Sequence, residues 1–166
     1  VLDCGWIVCV ACDGHGEQGE VISERATRML PLFLSTHLPA MGLAEALPLA
    51  FGEAQADLER CFSSAQAFSG ATVAACCLHA ESQEVWVAHV GDSRAVLADL
   101  DSGVSQFVTM DHKAHDPEEY SRLQAAGAQV IEKRYEDNEV VSRVFIPKTG
   151  VPGLAMSRSL GDGCLK

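Results

Sequence analysis

The sequence predicts an α+β fold, and three observations carry the prediction. Residues 6–12, WIVCVAC, form a short, continuously apolar run, as a strand covered on both faces would. Two longer stretches, 21–34 and 43–62, repeat apolar residues at three- and four-residue steps, the period of a helix with one buried side. From residue 71 the period shortens, and ATVAACCLHA, VWVAHV, AVLADL and VSQFVT follow one another across the turns ESQE, GDSR and DSG. Such spacing reads as a meander of antiparallel hairpins.

Taken in order, the first strand ends at Asp13 in VACDGHGEQGE, where glycines flank His15 and leave it open to solvent and substrate. A helix follows, with Val21, Ile22, Ala26, Met29, Leu30, Phe33 and Leu34 on one face, and Pro31 is expected to kink or divide it. In the next helix Leu43, Leu47, Ala50, Ala54 and Leu58 mark the buried face, while Glu45, Glu53, Gln55, Asp57, Glu59 and Arg60 fall largely on the other. After the meander, Asp116 caps a third helix, Pro117 suits its first turn and Glu119 completes a capping-box pattern. That helix runs to about Ala126 and stops at Gly127. Residues 129–146 read as short strands around YEDNE, and the closing VPGLAMSRSLGDGCLK reads as turn-rich, without a packed terminal element.

The chain has 166 residues, the size of one domain, and an ordinary globular composition. No apolar run approaches the roughly 20 residues that span a bilayer, and the start lacks the basic region of a signal peptide. It also lacks an initial methionine and begins almost inside a strand, as expected of a piece of something longer. The net charge of −11 argues against nucleic-acid binding. It suits divalent cations if carboxylates converge, and otherwise serves solubility.

Seven cysteines, Cys4, Cys9, Cys12, Cys61, Cys76, Cys77 and Cys164, sit mostly among apolar neighbours. They suggest small buried hydrophobes in a reduced intracellular protein, cytoplasmic or nuclear, rather than a disulfide framework. Cys4, Cys9 and Cys12 have the C-x4-C-x2-C spacing of an iron–sulfur ligand run. The residues between them favour a strand, however, and an odd offset puts Cys9 and Cys12 on opposite faces.

Aspartates at strand ends, three of the four beside glycine, form the candidate site. Asp13, Asp92, Asp111 and Asp162 each follow a strand-like run. Mg2+ and Mn2+ prefer oxygen donors, and a strand end presents a carboxylate rigidly. Any one of these Asp-Gly pairs, taken alone, is an ordinary turn. His37, His79 and His89 read as structural, and His112 and His115 as solvated loop residues. Cys12, beside Asp13, is a rival nucleophile, but it lacks the C-x5-R setting of cysteine phosphatases.

In order along the chain, CDGHG, SGATV, VWVAHVGDSRAVL, TMDHKAHDPEEYSRLQAAGAQV and LAMSRSLGD resemble the successive signatures of metal-dependent protein serine/threonine phosphatases of type 2C. The resemblance covers about residues 6–162. It implies a single domain with a four-layer α-β-β-α sandwich of two antiparallel sheets, here incomplete at both ends. It also implies hydrolysis of phosphoserine and phosphothreonine by water activated on a Mg2+ or Mn2+ pair. Asp13 would bridge the two metals and Gly14 would lend its carbonyl. His15 would be the general acid for the leaving alkoxide. Thr72 would lie near the site, and Asp92 would serve a further, weaker metal.

Partners implied are phosphoprotein substrates, with no nucleic acid, no membrane and a monomeric state. Departures from the pattern are specific. The family's upstream Glu-Asp pair is absent, the only upstream acid being Asp3, to which no role is carried. The later metal aspartates do not appear before Lys166, and Glu17 stands where a second glycine is usual. An inactive, truncated module that binds phosphoproteins or regulators is therefore the alternative, and the 166 residues alone are expected to show little activity.

Overall fold

The computed structural model describes residues 2, 5–136 and 140–165. Within them lie three α-helices and nine strands. The first strand, β1, spans Trp6–His15 and pairs antiparallel along its whole length with β2, Gly70–His79. On the far side of β2 lies β3, Val85–Val90. The main sheet has the order β1-β2-β3, and a two-residue strand, β9 (Leu160–Gly161), pairs with the start of β2.

Helices α1 (Gly19–His37) and α2 (Leu43–Cys61) pack together across one face of this sheet. Ile22, Ala26, Leu30 and Leu34 of α1 and Ala46, Ala50, Ala54 and Leu58 of α2 are buried, as their periodicity requires. They meet Ala71, Val73 and Cys77 of β2, with Val8, Val10 and Cys12 of β1 at the margin of the same core. Each fully buried Leu, Ile or Val side chain contributes about 1.5–3 kcal/mol.

Alternation along β1 sends Cys9 and Ala11 to the opposite face, where both are exposed. Strand β1 is thus covered on its helix side and open on the other, whereas most of β2 is buried on both. Pro31 does not divide α1, nor does Pro48 divide α2.

The meander splits after β3. Strands β4 (Val96–Ala98) and β5 (Ser105–Val108) form a separate hairpin. A cavity of about 410 Å3 between this hairpin and the sheet face opposite the helices is lined by Cys76, Val87, Val96 and Phe107, among others. Helix α3 (Pro117–Ala125) packs on a third sheet of β6 (Gln129–Arg134), β7 (Val140–Phe145) and β8 (Pro152–Leu154). Its core is small, with Ala114, Leu123 and Val144 buried. Part of the YEDNE turn lies outside the described residues, as do Asp3, Cys4 and Lys166.

The end of the chain, expected to lack a packed element, buries Ser159, Leu160, Gly161 and Asp162, and Leu160 and Gly161 pair with β2. Glu119 does not close a capping box: Asp116 caps α3 by accepting from the Glu118 N–H, and the Asp116 N–H donates to the Lys113 carbonyl. Asp57 does not lie on the solvent side of α2. It is 1% exposed and accepts both Nε and Nη2 of Arg25 from α1, at 2.6 and 3.0 Å, together with Arg60. The Arg25 hydrogen bonds hold its carboxyl below the ordinary range despite the cost of burial.

Candidate metal and phosphate site

Strand β1 continues past Cys12, where the sequence suggests an end, because β2 supplies ladder partners as far as Gly70. Asp13 faces Thr72, Gly14 faces Ala71 and His15 faces Gly70. The Asp13 side chain is exposed at this rim. Gly14 is required by packing: a Cβ there would stand 2.2 Å from the Gly19 carbonyl oxygen at the start of α1. The backbone N–H of Gln18 donates to Ser69 Oγ at 3.0 Å, fixing the DGHGEQG turn to the chain that enters β2.

His15 is not the open side chain that its glycine neighbours suggest. Its Nε2 lies 2.7 Å from Oδ2 of Asp162, which is 1% exposed. Ser159 Oγ donates to the same oxygen at 2.5 Å. Room for this cluster comes from Gly70, where a Cβ would lie 2.3 Å from Asp162 Oδ2 and 2.7 Å from His15 Nε2. Glycine here makes space for burial instead of exposing the ring. His15 Nδ1 is buried and has no protein hydrogen-bond partner, and the same holds for Asp162 Oδ1.

From Asp13 the site runs across the sheet. Thr72, 1% exposed, shares a 2.5 Å hydrogen bond with Ser93 Oγ. Gly91 presses against Thr72, so a Cβ on it would meet the threonine Cγ2 at 2.5 Å. Asp92 lies between Gly91 and Ser93, and its carboxylate accepts a very short hydrogen bond from Lys113 Nζ. Asp111 accepts Nε and Nη2 of Arg94 at 2.6 and 2.9 Å, and the Arg94 hydrogen bonds lower its carboxyl from the usual range.

His112 is not solvated. Its ring stacks on His89 at 4.5 Å between centroids, its Nδ1 accepts the Gly91 N–H, and burial followed by the His89 charge pulls its pKa down. The ring of His89 reaches the Met110 carbonyl oxygen at 2.7 Å, in keeping with its expected structural role.

Asp13 and Gly14 offer a carboxylate and a carbonyl, the hard oxygen donors that Mg2+ or Mn2+ takes, so the donor set fits such an ion in kind. Among the described residues, no group of three or more His, Cys, Asp or Glu side chains converges as a metal cluster. Water would supply further ligands to such an ion. Cys12 packs against the helix-side core, and burial pushes its thiol pKa up, which disfavours the thiolate that a nucleophile needs. The strand also separates Cys12, packed toward the helices, from exposed Cys9, which removes the iron–sulfur arrangement for this pair; Cys4 lies outside the described residues.

Sequence reasoning missed the partners of these residues. It noted Asp162 as a strand-end carboxylate and not as the mate of His15, 147 positions away. It gave no role to Lys113, nor to the pairing of Arg158 with Glu119, whose Nε–Oε1 distance is 2.9 Å.

The fold, an antiparallel sheet with a pair of helices on one face, superposes on solved structures. The serine-threonine phosphatase 2C from Toxoplasma gondii superposes with a TM-score of 0.71 at 20% identity, over 98% of this chain and 60% of that one. A Caenorhabditis elegans sex determining protein superposes at 0.65 and 21% identity, over 95% of this chain and 36% of that one. Residues 10–166 match the sequence model of the family Protein phosphatase 2C. The chain belongs to that family. Among curated relatives from Oryza sativa subsp. japonica, "Probable protein phosphatase 2C 12" is 32% identical and "Probable protein phosphatase 2C 64" 33% identical, each over 96% of this chain. The chain spans 52% and 39% of their respective lengths.

Proposed function

We propose that this chain is the central part of a Mg2+- or Mn2+-dependent phosphatase acting on phosphoserine and phosphothreonine in proteins. The observation that carries the reading is the row of residues at one rim of the main sheet. Asp13 faces Thr72, Thr72 is hydrogen-bonded to Ser93, and Ser93 adjoins Asp92. Asp13 and Gly14 are the donors that would hold the metal pair, and Asp92 is a further carboxylate on the same row. Metal ions held there would supply a water of lowered pKa and positive charge against the phosphate.

The remaining chemistry falls to side chains of this chain. A serine or threonine alkoxide leaves poorly, so a proton delivered to its oxygen accelerates the departure. His15 lies two residues beyond Asp13 and is the group proposed to deliver it. Asp162, itself held by Ser159, fixes its ring through Nε2; Nδ1 has no protein partner but is buried, so delivery would require the ring to turn toward the substrate.

Phosphoproteins are the proposed substrates, and a monomer in a reducing cytoplasmic or nuclear setting is the proposed state. Six free cysteines among the described residues support the compartment, and the charge of −11 argues against nucleic-acid partners. No helix among the described residues is long and apolar enough to cross a membrane.

Hydrolysis of a phosphothreonine peptide with Mn2+, by this chain and by the complete gene product, tests the reading. The complete product should be active, and Asp13→Ala should lower its kcat by roughly a hundredfold or more. An inactive complete product that still captures phosphoproteins without metal would establish the binding module instead.

A further inference from the structure

We propose that Lys113 is a built-in cation on Asp92, and that its ammonium sets how tightly this carboxylate takes a divalent ion. The proposal rests on the phosphatase reading only in treating Asp92 as a carboxylate that meets such an ion.

Two short segments clip together here. Residues 91–94 supply Asp92 and Arg94, and residues 111–113 supply Asp111 and Lys113. Arg94 holds Asp111 through both guanidinium donors, and Lys113 Nζ bonds Asp92 while lying 4.0 Å from Asp111. Two anions and two cations balance, so a divalent ion arriving at Asp92 meets a neutral cluster. Its attraction to the carboxylate is opposed by the ammonium already there.

The backbone beneath the pair is fixed. The His112 N–H donates to the Gly91 carbonyl at 3.0 Å, the Gly91 N–H returns a bond to His112 Nδ1 at 3.1 Å, and His112 stacks on His89. Displacing the ammonium therefore requires only movement of the Lys113 side chain. Lysine suits that role. It is a point charge on a flexible four-carbon stem, unlike the planar two-donor grip of Arg94. The pair is partly wet, with side-chain exposures of 28% for Lys113 and 26% for Asp92, so an ion can reach it. A second acceptor, the Ala155 carbonyl, lies 3.4 Å from Nζ and offers the ammonium another partner.

Binding of Mn2+ to the chain, followed by the electron paramagnetic resonance of free Mn2+, tests the proposal. Lys113→Met removes the competing charge and should tighten Kd about tenfold or more, because one unit charge at contact distance is lost. Lys113→Arg should leave Kd near that of the parent. Adding Asp92→Asn to Lys113→Met should cancel the gain. Lys113→Gln, which can still hydrogen-bond Asp92, should tighten binding in the same direction, and circular dichroism verifies the fold of each variant.

Equal affinity in the parent and both neutral variants overturns the proposal, as does a gain that survives Asp92→Asn. Asp13→Asn, titrated alongside, reports on the phosphatase reading. Binding that depends on Asp13 but ignores Lys113 removes only the role of Lys113. Binding indifferent to Asp13 counts against the metal site itself.

Discussion

Gly70 shows how much one missing Cβ can decide. It allows Asp162 Oδ2 and His15 Nε2 to meet within 2.7 Å, a bond that ties the end of β1 to the segment after β9. Gly70→Ala would press a methyl group into both side chains and into the Leu160 carbonyl, where a Cβ stands only 2.7 Å away. Backbone on one side and buried polar atoms on the other leave little freedom to shift. Destabilisation of about 1–3 kcal/mol is expected from overpacking, measurable by urea denaturation. His15→Gln in the Gly70→Ala background should cost less than the sum of the two changes, because both disturb the same contact. Strict additivity would place the glycine's importance elsewhere.

At the scale of elements, α3 shows a helix start used as an anchor. Asp116 performs the capping, which frees Glu119 to leave the helix surface and accept Arg158 and Arg122. Burial alone would raise the Glu119 pKa, but its hydrogen bonds to Arg158, Arg122 and Ser157 outweigh burial and lower it to about 2. Its unfolded value is near 4.5, so the folded carboxylate contributes stability that is fully present above that pH. The contribution is lost as pH falls from about 4.5 toward 2. Glu119→Gln should therefore destabilise the protein by an amount on the order of 3 kcal/mol at pH 7, and the deficit should shrink in that acid window. Chemical denaturation of both forms at pH 7, 4 and 3 measures it. A deficit that stays constant with pH would mean that the pair contributes packing and not charge.

Across the whole molecule, the packing is uneven. The main sheet with α1 and α2 holds the large apolar core, while among the described residues the core around α3 and the β6-β7-β8 sheet buries Ala114, Leu123 and Val144. The β4–β5 hairpin is exposed along both strands. Local opening follows apolar burial, so amide hydrogens of β4, β5 and β6 should exchange faster than those of β2, by roughly a hundredfold or more. Hydrogen exchange read by mass spectrometry tests this order. Equal protection throughout would require a core that the burial pattern does not show.

Local chemistry made much of this legible. The periods of α1 and α2, the Asp116-Pro117 helix start and the apolar run of β1 are properties of neighbours in sequence, and each appears where its residues predict. Asp13, Thr72 and Asp92 could likewise be singled out from their motifs. What stayed hidden depends on residues far apart in the chain. Asp57 looks like a surface acid on a helical wheel until Arg25 arrives from α1. Pro31 looks like a break until packing on the sheet keeps α1 whole.

The amino-acid order by itself determined the α+β class, the helical faces, the family and the carboxylate at the rim, since these follow from periodicity and from short ordered motifs. Only the tertiary structure decided that His15 is held by Asp162 and that Asp92 is held by Lys113. Periodicity reports which side of an element is apolar. It carries no information about which charged group will close on another across the fold, because that choice is made by backbone approach and by the cost of leaving a charge buried and unpaired.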